Sequence, residues 1–171
     1  GIDPSPRLKV LAPSHTGLTV AAQPTLYMYV AEAGAVRVRV MRAASLSDPP
    51  VATGRVEVQS APAIVPLSLL GLNATLRQGV EYEVIVSMYD TRTGAVRGAD
   101  SAMIERVSEP AGLSAAQTGA PLARARLFAK AGLWFDALGA VGEAVNAAPA
   151  SAGPRGHRAA LLEQAGLPAI A

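Results

Sequence analysis

The sequence predicts an α+β fold, in which an antiparallel β-sandwich of immunoglobulin-like kind over residues 1–110 is followed by a small helical region over residues 111–171. Three observations carry that reading. Alanine supplies 15 of the first 110 residues and 20 of the last 61. The hydrophobic period changes from two to about 3.6 at the same place. Turn residues punctuate the first part at nearly regular spacing.

The elements follow in order. Leu8, Val10 and Ala12 alternate with Lys9 and Leu11, after which residues 13–17 turn the chain. Residues 25–31 follow Pro24 with Leu26, Met28 and Val30 on one face and Tyr27 and Tyr29 on the other. Residues 35–41 form the clearest strand, with Val36, Val38 and Val40 inward and Arg37, Arg39 and the following Arg42 toward water. Ala33 and Gly34 can turn one of these strands into the next. Beyond the loop at Asp48, Pro49 and Pro50, residues 53–58 and 64–69 read as two more strands. Residues 80–89 alternate again, with Tyr82, Val84, Val86 and Met88 as the core set and Glu81 and Glu83 outward. Thr93 and Gly94 make a connecting turn, and residues 99–107 close the series. No helix-length amphipathic segment separates these strands, which disfavours a parallel α/β arrangement.

The last third is helical. Pro121 is placed as a first-turn proline, and residues 122–131 run to a stop at Gly132. Residues 133–147 follow, with Trp134, Ala137, Leu138, Val141, Ala144 and Val145 as an apolar stripe ended by Pro149. Pro154 opens a third helix through Arg158, Leu161 and Leu162, stopped by Gly166 and Pro168. Trp134, the lone tryptophan, is expected in the core, clamping helices to sandwich.

Composition excludes several functions. The 171 residues contain no cysteine, which rules out a disulfide framework, a thiolate zinc site and a cysteine nucleophile together. Fifteen basic and thirteen acidic residues leave +2, spread along the chain, so nucleic acid is not expected as a partner despite a pI near 9.3. No apolar run reaches the length of a membrane span, and a chain with 50% hydrophobic and 16% charged residues is too apolar to be disordered. Gly1 stands where an initiator methionine would, and Ile2 to Pro6 read as a proline-broken lead-in. Removal of a signal peptide is one explanation and removal of a disordered head another, and a chain free of cysteine is compatible with either compartment.

Candidate chemistry is sparse. Glu81 and Glu83 are the one closely spaced acidic pair on a strand, and a glycosidase pair needs carboxyls about 5–10 Å apart across a cleft. A solvated face beside Arg37 or Arg39 is the simpler expectation. Asp90 and Asp100 flank a turn and suit turn formation better than calcium ligation. His15 and His157 stand far apart with no partnered ligand motif, so no metal site is assigned. No nucleophile elbow and no phosphate-binding glycine loop occurs, so no catalytic residue and no cofactor is assigned. Arg37, Arg39 and Arg42, with Tyr27 and Tyr29 beside them, form the candidate interaction face, since arginine and tyrosine are enriched in interface hot spots, while an ordinary solvated face with the tyrosines packed under the helices is the plainer expectation.

Asp136 is a further structural position of the helix hairpin, and Ala125, Phe128, Gly132, Trp134, Ala137, Val141, Ala144 and Pro149 give the helices a grammar of their own. Their spacing resembles a single tetratricopeptide repeat, with small residues where helices approach and aromatics between them. One copy cannot build the concave surface that arrays use, so a helix pair docked on the sandwich is expected. The whole chain, over residues 8–167, resembles bacterial domain-of-unknown-function family 928. The resemblance rests on Pro13, Gly17, Leu18, Thr19, Pro24, Leu26, Tyr27 and Tyr29, on IVPLSL at residues 64–69, on residues 79–82, on IERV at 104–107, and above all on FAKAGLWFDAL at 128–138. The strand YEVIVSM departs from it, lacking the tryptophan and phenylalanine often found there. The resemblance implies a bacterial chain with many exported relatives and no established activity. The expected function is therefore a non-enzymatic envelope protein acting as a protein-interaction module with an unidentified protein partner. A glycan- or small-ligand-binding sandwich is the alternative, and a carboxylate-based hydrolase the remote one.

Overall fold

A computed structural model describes residues 6–114, 118–167 and 170. The lead-in at Gly1 to Ser5 and the helix stop expected at Pro168 lie outside the described residues. Among the described residues the fold is mixed α+β, with eight strands in two sheets followed by three helices. Strands β1 (Leu8–Val10), β3 (Thr25–Val30) and β6 (Ala63–Ser68) form a three-stranded sheet in the order β1-β3-β6. Strands β2 (Gly17–Thr19), β8 (Val96–Arg106), β7 (Glu81–Tyr89), β4 (Gly34–Arg42) and β5 (Ala52–Val58) form the other, in the order β2-β8-β7-β4-β5.

The two sheets share one core. Leu26, Met28, Val30 and Leu67 of the smaller sheet meet Val36, Val38, Val40, Val84, Val86 and Met88 of the larger, all essentially without exposure. This is the alternation of the sequence made solid: every second residue of β3 and β7 is buried, as are Val36, Val38 and Val40 of β4. Tyr82 is buried among them, and its hydroxyl accepts the Arg77 N–H at 3.0 Å.

Two expectations need correction here. Residues 17–19, expected at the end of a turn, form strand β2, which pairs in parallel with Ile104–Arg106 while every other named pairing is antiparallel. A three-residue strand has too little length for alternation to reveal it, and its partner lies far along the chain. The turn at Ala33 and Gly34 also does not make a hairpin, because β3 and β4 belong to different sheets.

Helix α1 (Pro121–Lys130) opens with Pro121, whose missing N–H costs nothing in a first turn. It ends in a Schellman turn. Gly132, at φ +76°, donates its N–H to the Ala129 carbonyl, and Leu133 donates to the Phe128 carbonyl at 2.9 Å. The apolar contact that accompanies such a turn is present, since Phe128 and Leu133 are buried in one cluster. Helix α2 (Trp134–Ala147) therefore starts immediately and folds back on α1, with Ala137 fully buried between them. Helix α3 (Ala152–Gln164) ends in the same way, at Gly166 and Leu167.

Helix α2 joins the helices to the sheets. Phe135, outside the apolar stripe expected from the sequence, enters the core between the sheets and lies against Gly17. A side-chain carbon at Gly17 would overlap the Phe135 ring. Trp134 is half-buried rather than a full core residue. It packs against two clusters and donates its Nε1–H to the Leu11 carbonyl at 3.1 Å. Leu138 of α2 and Leu162 of α3 cover the outer face of the small sheet, against Tyr27, Tyr29 and Ile64.

Candidate functional site

The expected interaction residues are not brought together. Tyr27 and Tyr29 point from β3 into the layer beneath α2 and α3, whereas Arg37 and Arg39 stand exposed on the outer face of the larger sheet. Arg42 leaves that line as well. It has the parity of Val40, lies opposite Tyr82, and sits at the strand end beside residues 48–51. What the register does gather around Arg37 is Tyr89 and Arg55. The Arg37 guanidinium lies over the Tyr89 ring at 4.7 Å, and Arg55, paired across β4–β5 with Arg37, lies 5.7 Å from the same ring. Arg55 pairs with Glu57, while Arg37 and Arg39 meet no carboxylate at ion-pair distance among the described residues. Neither Tyr89 nor Arg55 carries a local signal for this role, because the stack exists only through strand order.

The acidic pair sits at the other end of the same sheet. Strands β4 and β7 are neighbours, but their register places Arg37 opposite Ser87 and Arg39 opposite Ile85. Glu81 lies across from Glu105, and Glu83 from Met41 and Met103. The Thr16 hydroxyl donates to Glu81, which gives that carboxylate a structural task. The outer face thus has a basic end at Arg37, Arg39 and Arg55 and an acidic end at Glu81, Glu83 and Glu105.

Asp90 forms a turn. Its carboxylate accepts the N–H groups of Thr93 and Arg92 and pairs with Arg97, and these bonds hold it below the usual carboxylate range. Asp100 accepts the Val10 N–H at 2.8 Å and pairs with Lys9, tying β1 to β8. His15 lies in the loop before β2, and His157 contacts Arg126 and the Gly153 carbonyl. Among the described residues no three His, Asp or Glu side chains cluster as a metal site. No helix there is long and apolar enough to cross a membrane.

The hairpin residues do gather. Phe128 and Ala137 are buried, Gly132 makes the turn, and Asp136 bonds to the sheet. The Thr19 hydroxyl and the Val20 N–H donate to its two carboxylate oxygens, each at 2.9 Å, and Ala21 N–H donates in turn to Thr19 Oγ1. Burial raises the Asp136 pKa above its ordinary value of 3.8, partly offset by those same two bonds. Beside this latch a cleft of about 410 Å³ opens between residues 20–27 and the α1–α2 pair. Phe128 and Phe135 form part of its wall, and Tyr27, Arg124, Asp136 and Glu143 supply polar atoms. Arg124 donates to Glu143 at 2.7 Å, and its Nε–H is buried with no partner among the described residues. Burial, then the Glu143 charge, raise the Tyr27 hydroxyl pKa, against a smaller opposing pull from Arg158.

A family model described as Domain of Unknown Function (DUF928) matches residues 2–171. The chain belongs to the DUF928 family. No curated protein matches this DUF928 sequence. A solved structure similar to part of it is the crystal structure of Ruminococcus gnavus beta-glucuronidase in complex with uronic isofagomine, at 16% identity and a TM-score of 0.32. That likeness covers 59% of the DUF928 chain but 16% of the other protein, and nothing about activity follows from it.

Two glycines of α2 behave oppositely in the DUF928 structure. A side-chain carbon at Gly142 would overlap the Tyr27 hydroxyl, whereas one at Gly139 would meet no atom within 4 Å. Gly142→Ala is therefore expected to lose about 1–3 kcal/mol from crowding. Gly139→Ala is expected to gain up to about 1 kcal/mol from helix propensity. Urea denaturation of the two variants checks this, and equal effects would contradict the assigned contacts.

Proposed function

We propose that this DUF928 chain is a non-enzymatic binding module of the bacterial cell envelope that docks an acidic protein surface on the outer face of its larger sheet. The observation that carries the reading is the exposed Arg37–Tyr89–Arg55 stack with Arg39 beside it, on a sheet face that the helices leave open. Stacking holds both guanidinium groups in place, which lowers the ordering cost of binding. The acidic end at Glu81, Glu83 and Glu105 then fixes the orientation of the partner, which meets arginines at one end and carboxylates at the other. Export to the envelope is part of the proposal and rests on the family resemblance. A non-enzymatic role is supported by Glu81 and Asp136, whose carboxylates already serve hydrogen bonds within the fold.

The finer reading of the fold belongs to the same proposal. An immunoglobulin-like sandwich is supported by Tyr82 at the start of β7, whose hydroxyl bonds back to the backbone five residues earlier as in a tyrosine corner. A tetratricopeptide-like hairpin is supported by the tight turn at Gly132 and the close approach at Ala137. The helices would brace the small sheet and leave the large one free.

Capture from a bacterial envelope extract on the full chain tests the function, with an Arg37→Glu/Arg39→Glu double variant and an unrelated sandwich protein alongside. The expected result is near-stoichiometric recovery of one protein, weakened by added salt and lost on the double variant at unchanged thermal midpoint. Recovery of nothing above the unrelated protein, or equal recovery by the double variant, overturns the reading.

A further inference from the structure

The geometry points to the cleft between residues 20–27 and helix α2 as a binding site for a neutral, hydroxyl-rich molecule of monosaccharide size. The site is separate from the arginine face and does not depend on it.

Gly139 is the first ground. Glycine weakens a helix interior relative to alanine, and a glycine there normally answers to a neighbour that needs the space. Gly142 has such a neighbour in Tyr27. Gly139 and Gly156 of α3 have none within 4 Å, and Gly139 is the one of these two that lines the cleft, on the turn between Asp136 and Glu143. A larger residue at this position would project into empty space that the glycine leaves clear.

The polar lining supplies the chemical class. Glu143 and Asp136 are acceptors with lone pairs beyond the bonds they accept, Arg124 is a donor with N–H groups to spare, and the Tyr27 hydroxyl can serve as either. An anion entering the cleft would meet two carboxylates, and a cation would meet the Arg124 guanidinium. A polyol suits both, because each hydroxyl donates one bond and accepts others. The rings of Phe128 and Phe135, almost wholly buried, back the cleft behind these polar groups. The volume of about 410 Å³ falls within the range of small-molecule sites.

The test is a protein-observed NMR titration of the full chain with methyl β-D-glucopyranoside, methyl β-D-galactopyranoside and methyl α-D-mannopyranoside, with acetate and methylammonium as charged comparators. Saturable shifts at the Val20, Gly139 and Glu143 amides with at least one glycoside are expected. Gly139→Leu is expected to weaken that binding about tenfold or more by occupying the space, without lowering the thermal midpoint. Tyr27→Phe, which keeps the ring and removes only the hydroxyl, is expected to weaken it severalfold and serves if leucine disturbs the helix. Absence of saturation with all three glycosides, tighter binding of either charged comparator, or unchanged affinity in both variants overturns the proposal.

Discussion

Phe135→Ala is expected to destabilise the whole chain by about 3–5 kcal/mol, the range for removing a fully buried aromatic side chain. Phe135 is 1% exposed and belongs to the cluster between the sheets although it is carried by helix α2. Its loss therefore opens a cavity in the sheet core and frees the helix that fills it. Urea unfolding followed by far-ultraviolet circular dichroism and by Trp134 fluorescence provides the measurement, since Trp134 reports the helix–sheet contact at Leu11. Both signals should shift to lower urea together. Melting of the fluorescence signal alone, with the sheet transition unmoved, would mean that the two parts of the chain are energetically independent.

Asp136→Ala is the second large effect, expected at about 2–4 kcal/mol, because two donors lose their acceptor at once. The Thr19 hydroxyl is fully buried and the Val20 N–H sits beside it, so bulk water does not readily replace the carboxylate. The acid also carries a pH signature of definite sign. Burial raises the folded-state pKa of Asp136 above the ordinary 3.8, so between those two values the folded state holds more of the proton than the unfolded state. The contribution of this group to stability is thus greatest at or below pH 3.8, declines as pH rises through the folded value, and stays constant above it. Asp136→Asn removes that term while retaining one acceptor. The stability difference between wild type and Asp136→Asn should therefore tilt against the wild type as pH rises through this window. A difference independent of pH would show that the carboxyl is not perturbed.

These two residues also mark where the sequence stopped being legible. Alternation in β3, β4 and β7 declares the inner faces of both sheets, and Pro121, Gly132 and Gly166 punctuate the helices. What a local pattern cannot carry is the sheet to which a strand belongs. Tyr27 and Arg37 look like neighbours across a turn, yet the chain crosses between sheets there, and the tyrosine ends under helices while the arginine remains in water. Tyr89 reaches Arg37 only because β7 and β4 pair in one register. Arg42 is a different case, since counting by twos from Val40 already takes it off the face of Arg37 and Arg39. Phe135 escapes an amphipathic reading because α2 is buried on more than one side, facing α1 and the sheets together. The cleft is less legible still, since Gly139 acquires meaning only beside the empty space in front of it.

The position of β2 bears on how the chain is made. Gly17–Thr19 is synthesised well before its ladder partner, Ile104–Arg106, and its side-chain latch, Asp136. At a synthesis rate of roughly 5–20 residues per second, that segment waits several seconds for its partners, and its backbone groups remain open to other strands meanwhile. A strand whose ladder and latch partners lie this far along the chain stays unlocked until they have been made. The delay leaves a segment made well before its partners among the last parts of the sheet to be secured.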